Sequence, residues 1–257
     1  LEDDCHSKIF FIGTGSALTS LKRFHTSFII SNSKTNILID CGDGISKKLK
    51  ELHFNCLNIQ NILISHLHPD HFSGLASLIV QMKLQNRLEP LNIFIHKELS
   101  EFLEKFLEQI YLFKSRLTFK LKINSYDFEQ VVPLNNGFNF ISKKNTHLDK
   151  YSDSEKSIKF ISPSYLFNIG DKKIYYSSDI GDRSDLYLFD SKVDISIIET
   201  THIKFSDILD FVRKGFSNRY FLVHIDENKE VEIKLTFRNE IADRKVFIPN
   251  DGDEYSI

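Results

Sequence analysis

The 257-residue chain has no tryptophan, one methionine and only three cysteines. The absent tryptophan, beside 23 phenylalanines, is a bias of composition and carries no mechanism. Cys5, Cys41 and Cys56 are odd in number and lack Cys-x-x-Cys spacing. They argue against a disulfide framework and fit a reducing compartment, so a cytoplasmic location is expected. No apolar run approaches the ~20 residues that span a bilayer, and no membrane partner is expected. Ile9-Phe10-Phe11-Ile12 is too short for a signal-peptide core, although a chain given from Leu1 leaves open a targeting segment ahead of it. The net charge of −2, with both signs mixed, gives no electrostatic footprint of a dedicated nucleic-acid binder. There is no low-complexity stretch, linker or short-period repeat. Gly13-Thr14-Gly15-Ser16 lacks the third glycine and following helix of a dinucleotide-binding turn.

What is present is enough apolar residue, 41% against 26% charged, for a packed core. Strands are read at Lys8 to Ile12, Thr26 to Ser31, Asn36 to Asp40, Asn61 to Ser65 and Leu91 to Ile95. Helical spacing appears over Ile45 to Leu52, Phe72 to Leu84 and Lys97 to Phe113. The middle is strand-rich: Leu117 to Ile123, Phe138 to Lys143, Ser157 to Ile161, Tyr165 to Ile169 and Lys173 to Ser177, with a hairpin turn at Gly170-Asp171-Lys172. Alternation then returns with strand Val193 to Ile198, helix Ser206 to Lys214, strand Tyr220 to Val223, helix Asn228 to Glu240 and strand Lys245 to Ile248. Each half holds a run of strands followed by strand-helix alternation. That echo predicts an α/β fold, a four-layer αββα sandwich of two mixed sheets with helices outside, as one domain over residues 1–257. The apolar stripes of the Phe72 and Lys97 helices read as core first and a homodimer surface second.

The densest chemistry is His66-Leu67-His68-Pro69-Asp70-His71, which follows the apolar run Ile62-Leu63-Ile64. Imidazole and carboxylate suit zinc and similar metals. His66 and His68 are two apart and point the same way in extended chain. Asp70 and His71 start a helix after Pro69, where a carboxylate is favoured by the helix dipole. Further polar residues fall at apparent strand ends: Asp40, His147, Asp179, Glu199, His202 and His224. Three of them, His147, Asp179 and His224, complete an expected two-metal arrangement in which His66, His68 and His147 could hold one ion, Asp70, His71 and His224 the second, and Asp179 could bridge. Two cations about 3.5–4 Å apart stabilise a bridging hydroxide and lower the pKa of bound water toward ~7. The ligand types fit Zn, with Mn or Fe as alternatives. Asp40 is read as orienting a ligand histidine. His6, His25, His53 and His96 are read as structural or surface, and Cys41 as a small buried hydrophobe.

His-x-His-x-Asp-His after an apolar strand, with later single His, Asp and His, resembles the metallo-β-lactamase superfamily along nearly the whole chain. Gly13 to Ser16, Asp40-Cys41-Gly42-Asp43-Gly44, Ser178-Asp179-Ile180-Gly181 and Glu199-Thr200-Thr201 match its other landmarks in order. Within it the pattern is most similar to the phosphodiesterase branch that includes RNase Z, the transfer-RNA 3′-end endonuclease. Arg23-Phe24-His25-Thr26-Ser27, Pro163-Ser164-Tyr165 and Ile198-Glu199-Thr200-Thr201 carry this. So does His202, which lies 22 positions before His224. The resemblance implies a dinuclear hydrolase in which Asp70 belongs to the catalytic centre and His202 protonates the departing oxygen.

Two departures narrow the reading. His147 and Asp179 are 32 positions apart, leaving room for a hairpin and none for the tRNA-gripping arm. The acidic residue that RNase Z carries just before its bridging aspartate is absent from Tyr175-Tyr176-Ser177-Ser178, and Glu199 is the substitute considered. The expected substrate is a small phosphodiester: an RNA 3′ end, a cyclic nucleotide or a similar diester. The alternatives are hydrolysis of an ester, thioester or lactone by the same metals, and a non-catalytic nucleotide-binding member of the fold.

Overall fold

The computed structural model describes residues 7–134, 136–151 and 158–257. The chain divides into two compact units. The first comprises the chain through residue 13, residues 24–127 and residues 251–257, and the second residues 14–23 and 128–250.

The first unit is built on a seven-stranded mixed sheet. Its strands are β1 (Lys8–Gly13), β2 (Ser27–Ser31), β3 (Asn36–Ile39), β4 (Asn61–Leu63), β5 (Leu91–His96), β6 (Leu121–Tyr126) and, from the chain's end, β14 (Glu254–Ser256). Their order is β14-β1-β2-β3-β4-β5-β6. Neighbours from β14 to β3 pair antiparallel, and those from β3 to β6 parallel. The parallel strands need crossovers, which are α1 (Ile45–Glu51), the pair α2 (Pro69–Phe72) and α3 (Leu75–Leu84), and α4 (Lys97–Gln109). β4 is buried along its whole length, the pattern of a central parallel strand covered on both faces. Leu75, Leu78, Ile79 and Met82 form the buried side of α3.

The second unit repeats the plan. Its strands are β7 (Val132–Pro133), β8 (Phe138–Lys144), β9 (Pro163–Ile169), β10 (Lys172–Tyr176), β11 (Val193–Glu199), β12 (Ser217–Val223) and β13 (Val246–Phe247), in the order β13-β12-β11-β10-β9-β8-β7. β7 to β10 are antiparallel, and β10 to β13 parallel. Its helices are α5 (Phe205–Arg213), α6 (Glu230–Thr236) and α7 (Arg238–Ala242). Ile208, Phe211 and Val212 of α5 pack into a core with Tyr220, Leu222 and Phe237. Two mixed sheets, each with its own helices, are the content of the expected αββα fold.

Several boundaries differ from the sequence reading. The helix expected from Phe72 begins at Pro69, because Pro at the first helical position is preorganised for it, and it breaks at Ser73-Gly74. At the break the Gly74 N–H donates to Cys41 O rather than within the helix, and the close approach requires glycine, since a Cβ there would stand 2.0 Å from the Gly42 carbonyl oxygen. The expected helix over 228–240 is two short helices that meet at Phe237, whose ring is fully buried. The strand expected over Leu117 to Ile123 starts four residues later, after a 3-10 turn at Lys114–Arg116. No strand forms over residues 158–161, and Ser157 lies outside the described residues. The β8–β9 ladder ends at Lys144 opposite Pro163, short of this stretch, and Ile158 is exposed. No described helix is long and apolar enough to cross a membrane.

Candidate metal centre

The chemistry-bearing side chains sit at the carboxyl ends of strands, where parallel sheets open crevices for ligands. In the first unit β3 ends and the chain turns sharply at Asp40, whose φ of 58° is left-handed. Non-glycine residues in this conformation cost of order 1–3 kcal/mol and persist only where surroundings hold them. Here the surroundings are explicit. The Asp40 N–H donates to Leu63 O on β4, and the Cys41 N–H to His71 O on α2. The Asp40 side chain, fully buried, accepts from Ser65 N at 2.7 Å and from Ser65 Oγ at 2.9 Å, and lies 2.8 Å from His71 Nδ1.

Asp40 thus fixes the segment that follows β4 and His71 of α2 together. With Nδ1 of His71 on Asp40, Nε2 is the nitrogen turned toward Asp70 Oδ2, 3.3 Å away. His66 Nδ1 lies 3.1 Å from Ser65 Oγ. The His66 ring is 4.7 Å from that of His68 and 4.3 Å from that of His71. Gly42 is required by close approach, since a Cβ there would lie 2.0 Å from Asp70 O. Burial pushes the Cys41 thiol up, with the Asp40 charge adding to it. Cys41 serves through its backbone, whose carbonyl accepts from Gly74.

In the second unit, the turn after β10 carries Ser178 at φ 52° and Asp179, and β12 runs into His224 at φ 55°. Asp179 Oδ2 is 3.7 Å from His147 Nε2, 3.5 Å from His224 Nε2 and 3.8 Å from His202 Nδ1. His224 Nδ1 lies 3.0 Å from Thr201 Oγ1, which donates to the His224 carbonyl. Glu199, buried at the end of β11, accepts from the N–H groups of Thr201 and His202 and faces His202 Nδ1 at 3.4 Å. Burial pulls the His202 pKa down. The Glu199 hydrogen bond and the charges of Glu199 and Asp179 outweigh burial and the opposing Lys150 charge, and leave it raised.

The sequence reading missed Asp185 and Asn145. One buried oxygen, Asp185 Oδ2, accepts from Thr146 N (3.1 Å), Thr146 Oγ1 (2.7 Å), Gly181 N (3.0 Å) and Asp182 N (3.2 Å). It therefore ties the segment carrying His147 to the segment carrying Asp179. Asn145 Oδ1 accepts from the His147 N–H, and its Nδ2 donates to Ser164 Oγ on β9. The capping spacing Asp182-x-x-Asp185 was the available signal for Asp185. Asn145 left none.

So the first unit gathers His66, His68, Asp70 and His71 around Asp40. The second gathers His147, Asp179 and His224, with Glu199 and His202. Buried charges and imidazoles at this density need pairing or a cation. The donor chemistry fits divalent metal ions. His71 and His224 each have the second ring nitrogen held by an oxygen, the arrangement that orients a metal-binding imidazole. The donors are those of a metal-dependent hydrolase.

Comparison with known proteins agrees. Ribonuclease Z of Methanococcus aeolicus is 38% identical over 101 residues, 39% of this chain. The match spans only 31% of that relative's length. The fold is shared with the short form of human tRNase Z, at a TM-score of 0.73, 20% identity and coverage of 97% of this chain and 99% of that one. The metallo-β-lactamase fold protein YhfI of Bacillus subtilis aligns at a TM-score of 0.75 and 16% identity, over 99% and 100% of the two chains. The family described as Anti-Pycsar protein Apyc1 matches residues 7–247. With nearly its full length accounted for by that match, this metallo-β-lactamase-fold chain belongs to the Apyc1 family of anti-Pycsar proteins.

Proposed function

We propose that the chain is a dinuclear metal-dependent phosphodiesterase, working as one hydrolase domain over residues 1–257 on a small phosphodiester. His66, His68 and His147 are assigned to one ion, Asp70, His71 and His224 to the other, and Asp179 to both. The order of these residues in the sequence and the hydrogen bonds that orient His71 and His224 within their own units support the assignment. The ions, Zn or alternatively Mn or Fe, supply positive charge at the phosphoryl oxygens and lower the pKa of water. The protein's own part is to hold the donors, exclude bulk water from the buried side chains, and deliver a proton to the departing oxygen.

The observation that carries the phosphodiester reading is His202. Its Nδ1 stands 3.8 Å from Asp179 Oδ2, and Glu199 anchors it through its backbone N–H. Alkoxide leaving groups need a proton, and a positioned imidazole supplies one. The short interval between His147 and Asp179, 32 positions with the β9–β10 hairpin in its described part, supports a substrate smaller than tRNA, an RNA 3′ end or a cyclic nucleotide among them. A cytoplasmic location and a homodimer belong to the same proposal.

The test is metal analysis coupled to hydrolysis. Two ions per chain and turnover of bis-p-nitrophenyl phosphate, abolished by His68→Ala, are expected. Turnover of esters, thioesters or lactones alone would overturn the phosphodiester reading. Less than one ion per chain, with no recovery on adding zinc or manganese, would mark a non-catalytic member of the fold.

A further inference from the structure

His224 has a left-handed backbone, φ 55°, which a residue with a Cβ keeps only where its surroundings impose it. Two groups of neighbours do so. On one side Thr200 Oγ1 and Thr201 Oγ1 donate to the His224 carbonyl. On the other, the Ile225 N–H donates to Thr14 O at 3.0 Å, and the Ser16 N–H donates to Ile225 O at 3.1 Å. Thr14 and Ser16 lie in residues 14–23, which belong to the second unit. That stretch contains no helix or strand, so its backbone has no ladder of its own to hold it in place.

Arg23 closes the stretch and anchors it. Its side chain is 4% exposed. Nη1 donates to Thr14 Oγ1 at 2.5 Å and to Pro249 O at 2.7 Å. Nε donates to Glu230 Oε2 at 3.2 Å, and Nη2 to Asn250 Oδ1 at 3.4 Å. One guanidinium thus joins Thr14 to the first residue of α6 and to the segment after β13. The other polar ties of the stretch, Ser20 and Lys22 to Glu227, are nearer the surface. The Lys22 side chain is 72% exposed, and exposed ion pairs contribute little.

We propose that Arg23 is a positioning residue for His224. It acts through Thr14, whose hydroxyl it fixes and whose carbonyl holds the Ile225 N–H, and so keeps the His224 imidazole aimed at a metal ion. The inference rests on the assignment of His224 to a metal ion above. The chemistry calls for arginine. A guanidinium carries five donors in a rigid fork, and here the fork meets oxygens from three separate segments at once. A lysine ammonium is a single point with three donors and cannot stand at both Nε and Nη1.

Two variants separate positioning from a general loss of stability. Arg23→Lys keeps the charge and loses the fork. Thr14→Val keeps the shape of a fully buried residue and removes the hydroxyl that Arg23 holds. Circular dichroism shows whether each folds, and should Arg23→Lys fail to fold, Thr14→Val decides alone. Zinc affinities are measured by chelator competition, with His224→Ala marking the ion that His224 holds. In both variants that ion should bind about tenfold more weakly or worse, with the other ion's affinity unchanged. Unchanged affinity for both ions, or equal loss at both, overturns the proposal, since a purely structural role would not single out one ion. Amide hydrogen exchange, on the chain as purified, reads the link itself. The Ser16 and Ile225 amides should exchange about tenfold faster in both variants, relative to amides within β12, as the brace opens locally. Unchanged exchange at both overturns the proposal. If the unaltered chain binds no metal, the two-metal reading fails by itself, and the exchange of Ser16 and Ile225 still decides whether Arg23 holds His224.

Discussion

Asp40 Oδ2 lies 2.8 Å from His71 Nδ1 and 2.9 Å from Ser65 Oγ, so one buried carboxylate oxygen aligns a proposed ligand and the strand end that delivers the histidine cluster. Asp40→Asn keeps the shape but replaces one acceptor oxygen or turns an amide toward His71. Loss of such a partner typically costs 10–100-fold in metal affinity. The expected outcome is a drop of that order in zinc affinity, read by chelator competition, with the far-ultraviolet circular dichroism unchanged. Equal affinity would show that His71 does not bind metal through Nε2.

The Asp185 clamp makes a different prediction, because its four donors come from both segments that carry His147 and Asp179. Asp185→Ala leaves the part-buried N–H groups of Thr146, Gly181 and Asp182 without this acceptor, and leaving donors unsatisfied costs about 1–3 kcal/mol. Asp185→Asn retains an acceptor but gives up the charge that roughly doubles each bond's strength, so it should fall between the alanine variant and the unaltered chain. Urea denaturation orders the three. A loss below about 1 kcal/mol in the alanine variant would mean that the capping turn holds without the carboxylate.

Much of this was legible in the sequence because periodicity and spacing report directly on local geometry. The buried strand before His66, the polar turn of the β9–β10 hairpin and the helical stripe of α3 each depend on neighbours within about ten residues. Asn145 and Asp185 were not legible as site residues, since the partners that tie segments together, Ser164 for Asn145 and Thr146 for Asp185, are brought near only by the fold. The misplaced strand over 157–161 has the same origin. Ile158, Phe160 and Ile161 satisfy a local pattern, but a ladder needs a partner strand, and β8 ends before them. The break in the Phe72 to Leu84 pattern is non-local too, for there the Gly74 N–H bonds to Cys41 O.

Glu199 and His202 yield a prediction that depends on the leaving group. Glu199→Gln preserves an acceptor for the Thr201 and His202 N–H groups but removes the charge facing His202 Nδ1. General acid catalysis contributes about 10²–10⁴-fold. A diester losing an alkoxide should therefore slow by about a hundredfold, while one losing p-nitrophenolate, which needs no proton, should slow far less. Parallel losses on both substrates would remove His202 from the role of acid and leave Glu199 a structural one.

His96 should report on acid stability rather than activity. It is buried at the end of β5 and its Nδ1 caps α4 by accepting from Glu98 N. Burial pulls its pKa below the ordinary value, against the opposing pull of Asp127. The unfolded chain, with a histidine near ~6.5, takes up the proton first as pH falls. This contribution to stability is therefore present above about pH 6.5 and is lost as pH falls through the lower folded value. His96→Asn keeps a good cap and cannot titrate. In the presence of a chelator, the stability of the unaltered chain minus that of His96→Asn should decline from pH 7.5 toward pH 5, because the remaining histidines cancel in the difference. Urea midpoints at half-unit pH steps measure it: a difference that stays flat would mean that His96 binds its proton equally in the folded and unfolded chains, and one that rises would mean that Asp127 holds it protonated in the fold.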